Sequence, residues 1–251
     1  LGRDLLPDFP HATDRNRTSP FAFTGNKFEL RMVGSSACLA DINTVLNTIL
    51  ADSLAEFAAR LDGATDVYAE AGKLVAEAIA EHGKVVYNGN NYGADWKDIA
   101  KKRGLPSLDD AGALVHITDA KNAEVFSRNN VFTPVELAAR RDVAMHNFVA
   151  AIEIEATTSV EMFRKQIAPA ALHYELELSR LAVKKAALFL STDAETKLIR
   201  KLDKLLADSN AAADKLATLV GHADDSDVAG QVEAVRKVIA EMEVLRSHAD
   251  Q

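Results

Sequence analysis

Apolar residues follow two rhythms in this chain. Between residues 26 and 33 they fall on every second position, Phe28, Leu30 and Met32 alternating with Lys27, Glu29, Arg31 and Val33. Period two predicts a short strand with one apolar face on a core and one charged face toward something polar. Gly34-Ser35-Ser36 ends it, and residues 1–25, with Pro7, Pro10 and Pro20, predict loop. Beyond residue 41 the spacing changes to three and four, the signature of helices.

Asp41 predicts the cap of a helix reaching about Leu61, with Ile42, Val45, Leu46, Ile49, Leu50 and Leu54 on one side. Thr65 or Asp66 opens a second helix that runs to about His82 and is closed by Gly83. NGNNYG at 88–93 is a turn cluster, and a short helix around Trp96 ends at Arg103-Gly104. Thr133-Pro134, with Glu136 following, predicts a helix start. Met145, Phe148, Ile152, Ala156, Val160, Phe163 and Ile167 then make one long stripe, which Pro169 should kink or interrupt. The end of the chain predicts a helical hairpin. One seam holds Leu198, Leu202, Leu205, Ala212, Leu216 and Leu219; the other holds Val228, Val232, Val235, Ile239, Met242 and Leu245. The predicted fold class is mainly α-helical, with a short N-terminal β-strand, long helices and a terminal antiparallel helical hairpin.

Composition agrees with that outline. The 251 residues are 48% hydrophobic and 26% charged, enough for a soluble globular core in one or two domains, and aromatics are only 6%. A net charge of −8 argues against a broad basic surface for nucleic acid or anionic lipid. No apolar run reaches the length of a membrane span, so no membrane partner is expected. The N-terminal LGRDLLPDFP lacks the apolar core of a secretion signal. With Cys38 as the single cysteine no internal disulfide forms, which fits a reducing, cytoplasmic location.

The strand carries the candidate chemistry. Lys27, Glu29 and Arg31 project from one face about 7 Å apart in succession, at roughly 3.4 Å per residue. A carboxylate between two cations is held ionised, the state a metal ligand needs. The cations suit phosphate or carboxylate oxygens, arginine bidentately. Arg15 and Arg17 add positive charge just upstream. Two readings stay open on pattern alone: a small anion and metal site, or a half-exposed edge strand with a solvated Lys-Glu-Arg face.

RNRTSPFAFTGNKFELR, followed by VGSS and the helix INTVLNTILADSL, resembles the late catalytic segment of glutamine synthetase, and the large type III group most closely. NGNNY, Val-Phe-Thr-Pro-x-Glu-Leu, IEIEATTSVEMFRKQIAPA and the terminal hairpin resemble the C-terminal region of that group. The resemblance covers nearly all of the chain. It implies that the chain is the C-terminal part of an α+β ligase that makes glutamine from glutamate and ammonia with ATP and Mg2+ or Mn2+, assembled as a ring-type homo-oligomer. By position, Arg17 matches an arginine on the nucleotide phosphates, Lys27 a basic residue near the nucleotide, Glu29 a metal ligand, and Arg31 an arginine near the transferred phosphate and glutamate. Smaller members carry a further arginine where this chain has Ala22. The resemblance implies that residues 1–62 end the catalytic domain and residues 63–251 form the helical C-terminal region. The family's other metal ligands would lie upstream, so these 251 residues alone are expected to be inactive.

Other residues attract weaker readings. The seven histidines show no zinc-site spacing, and Cys38 has no evident base beside it. Glu153, Glu155 and Glu161 do not share one helical face. There is no P-loop and no dinucleotide-binding glycine pattern. The alternative function class is a helical assembly module, without chemistry of its own.

Overall fold

The computed structural model of the chain describes residues 21–23, 27–31, 34, 38–86, 95–221 and 227–251. Helices dominate, as the three-and-four spacing predicts. The sole sheet among the described residues pairs β1 (Phe21–Phe23) with β2 (Phe28–Leu30) as an antiparallel two-stranded ribbon. Its register sets Phe21 opposite Leu30, Ala22 opposite Glu29 and Phe23 opposite Phe28. β1 corrects the expectation that residues 1–25 are all loop. Phenylalanines at alternate positions favour a strand, and the prolines lie outside it. The turn cluster at 88–93 and the loop arginines Arg15 and Arg17 lie outside the described residues.

The chain divides into two compact units, Leu1–Leu108 with Ala120–Pro134, and Asp109–Asp119 with Val135–Gln251. The first unit contains α1 (Leu39–Asp62), α2 (Val67–His82), α3 (Trp96–Lys102) and α5 (Ala120–Arg128); α4 (Asp110–Val115) belongs to the second. α1 begins two residues before Asp41. Cys38 stands at its N-cap without a side-chain bond, and Asp41 sits in the first turn, where its charge complements the helix dipole. α2 starts as predicted, Asp66 accepting hydrogen bonds from the amides of Tyr68 and Ala69. Ion pairs join the helices of this unit: Arg60 of α1 holds Glu70 and Glu77 of α2, and Asp52 of α1 receives Arg128 and Asn129 from the end of α5.

Three helices end in one C-terminal device. The amide of the second residue past the cap bonds back to the carbonyl five residues before it, and the intervening residue adopts the left-handed conformation. In α3 these are Leu105 and Gly104, φ 69°. In α5 they are Val131 and Asn130, φ 56°. In α7 (Ala168–Ala187) they are Leu190 and Phe189, φ 57°. Glycine and asparagine tolerate that conformation; for phenylalanine it costs about 1–2 kcal/mol.

The second unit is built on α6 (Pro134–Met162), which continues through a π-helical turn (Phe163–Ile167) into α7, followed by α8 (Asp193–Leu219) and α9 (Val228–Ala249). Met145 and Val149 of α6 pack with Val232 and Val235 of α9 and Ala111 of α4. Further along, Ala156, Val160 and Phe163 meet Ala212 and Leu216 of α8 and Val238 and Leu245 of α9. The π turn is where Pro169 was expected to disturb the helix. Proline has no amide for the carbonyl four residues back and collides with it, and the wider turn relieves both. It carries the stripe from Phe163 to Ala168, a step of five, and leaves Ile167 exposed rather than in the seam.

The terminal hairpin is present, with two corrections to its seams. Leu198 and Ile239 are exposed, while Val238 and Glu241 are buried. α9 serves α6 as well as α8, so its buried face is wider than a two-helix seam and is rotated from the predicted one. Glu241 enters that face because Lys215 of α8 reaches its carboxylate at 2.5 Å. Among the described residues, no helix is long and apolar enough to cross a membrane.

Candidate functional site

The ribbon brings the predicted trio together. Glu29 lies on β2, with Lys27 just before the strand and Arg31 just after it. Lys27 Nζ stands 3.7 Å from Glu29 Oε1, and Arg31 Nη2 donates to Glu29 Oε2 at 3.4 Å. The period-two spacing alone produces this, because residues i, i+2 and i+4 share a face. Side-chain exposure runs from 66% at Lys27 through 40% at Glu29 to 18% at Arg31. The guanidinium is therefore the inner member of the trio, and the ammonium the outer.

Two cations bracketing one carboxylate leave the face with a local charge of +1 on an acidic chain. Such a face can take anionic oxygens on its guanidinium and ammonium, and can offer carboxylate oxygens to a hard cation. Glu29 offers a single carboxylate, and a hard divalent cation takes about six oxygens. Among the described residues no group of three or more metal-ligating side chains forms. Glu29 thus fits a divalent cation as one contributor to a larger set. The register adds a point that pattern analysis missed. Ala22 pairs directly with Glu29 across the ribbon. Finding β1 would have shown it, and the alternation of Phe21 and Phe23 was the available signal.

Other clusters in the chain hold structure. In the first unit an apolar groove of about 420 Å3 is lined by Phe57, Leu61, Leu74, Ile79, Val85 and His82 among others. His82 is the one ionisable side chain in its lining, so the groove has no acid–base pair. Asp52 has its pKa lowered to about 2, first by the Arg128 hydrogen bond and next by Asn129. Asp109 is lowered to about 2 by Arg236, helped by the Gly112 amide. Glu195 is lowered by Lys185 of α7, which donates to both its oxygens at 2.7 and 2.8 Å. Each is a helix-to-helix tie, with its charges neutralised by one another.

Residues 70–186 match the family described as Glutamine synthetase C-terminal domain. The type-3 glutamine synthetase of Dictyostelium discoideum is 39% identical over 184 residues, 71% of this chain and 25% of that protein. A glutamine synthetase of Butyrivibrio fibrisolvens is 31% identical over 264 aligned positions, 95% of this chain and 35% of that protein. A glutamine synthetase of Bacteroides fragilis (strain YCH46) is 34% identical over 186 residues, again 71% and 25%. The chain belongs to the glutamine synthetase family, in its type III group. It spans only about a quarter to a third of the length of these relatives.

Proposed function

We propose that this chain contributes the β2 face to the active site of a glutamate–ammonia ligase. In the proposed reaction the γ-carboxylate oxygen of glutamate attacks the γ-phosphorus of ATP, and ADP departs. Ammonia then attacks the acyl carbon of the γ-glutamyl phosphate, phosphate leaves, and the nitrogen loses a proton to give glutamine. In this reading Arg31 offers N–H donors to the oxygens of the transferring phosphoryl group and stabilises the charge that develops there. Lys27, and Arg17 earlier in the sequence, bind the nucleotide phosphates. Glu29 supplies one ligand to Mg2+ or Mn2+, the remainder coming from outside this chain. A divalent cation, when bound, neutralises phosphate charge.

The observation that carries this reading is the ion-paired trio itself, with its guanidinium inward and its carboxylate held between two cations. Membership of the family supports the substrate class. The reading makes residues 1–62 the end of a catalytic domain and residues 63–251 a helical C-terminal region. It also places the protein in the cytoplasm as a ring-type homo-oligomer, in which this stretch alone has no turnover. The test is glutamine formation by the intact protein from ATP, glutamate and ammonium. Arg31→Ala should nearly abolish it; full activity in that variant, or turnover by residues 1–251 alone, would sink the reading.

A further inference from the structure

We draw no further inference here: the strongest candidate, the apolar groove of the first unit lined by Phe57 and Leu61 of α1 and Leu74 and Ile79 of α2, carries none, because nothing in the structure shows what covers it.

Discussion

Asp109 and Arg236 stand 127 residues apart and meet through two parallel hydrogen bonds of 2.7 Å. Asp109 caps α4 through the Gly112 amide at 2.8 Å, so one carboxylate both starts a helix and ties it to α9. Its depressed pKa fixes the direction of a pH effect. The folded chain prefers the ionised form, so this stabilisation is complete above about pH 4 and is lost as pH falls toward about 2. Asp109→Asn should therefore lower the urea midpoint at pH 6, and the gap to wild type should close at pH 2. Gly112→Ala should resemble it at pH 6, because a Cβ there would lie 2.5 Å from Asp109 Oδ1 and 2.9 Å from Arg236 Nη2.

Glu29→Gln keeps the size of the side chain and removes its charge. In the intact protein it should raise the Mg2+ or Mn2+ concentration giving half-maximal glutamine formation by roughly 10–100-fold. Arg31→Lys keeps the charge and loses the bidentate fork, so it should lower kcat more than it raises the KM for ATP. Equal metal dependence in Glu29→Gln and wild type would remove Glu29 from the ligand set.

Leu216 is fully buried where α6, α8 and α9 converge. Leu216→Ala removes packing from all three helices and should cost roughly 2–5 kcal/mol, read from urea unfolding by circular dichroism. Leu198→Ala, on the same helix but exposed, should stay within about 0.5 kcal/mol of wild type.

Asp66→Ala removes an acceptor for two α2 amides. A loss of about 1 kcal/mol is expected, measured by thermal melting. Asp41→Ala should cost less, since the structure gives Asp41 a first-turn position and not the cap.

Local signals were readable where they were strong. Asp66, Gly83, Thr133-Pro134 and the two terminal apolar runs announced their helices, because caps and periodicity act within a few residues. The grouping of Lys27, Glu29 and Arg31 was readable for the same reason, as a strand places alternate residues on one face by geometry. What escaped needed contacts distant in sequence. The register of Ala22 with Glu29, the burial of Glu241 under Lys215 and the tie from Asp109 to Arg236 depend on which element comes to lie beside which. The step from Phe163 to Ala168 escaped for a different reason: a search at period 3.6 assigns the next inward position to Ile167.

That step acts as a vernier. One residue inserted into an α-helix slips its phase by about 100°, so the π turn sets which side of α7 follows on from the core side of α6. Deleting Gln166 would wind the junction back to ordinary pitch and rotate every later position of α7 by that angle. Leu178 would swing away from α8, and Lys185 from Glu195, with no core side chain altered. The length of a five-residue segment thus governs the aim of the twenty-residue helix after it.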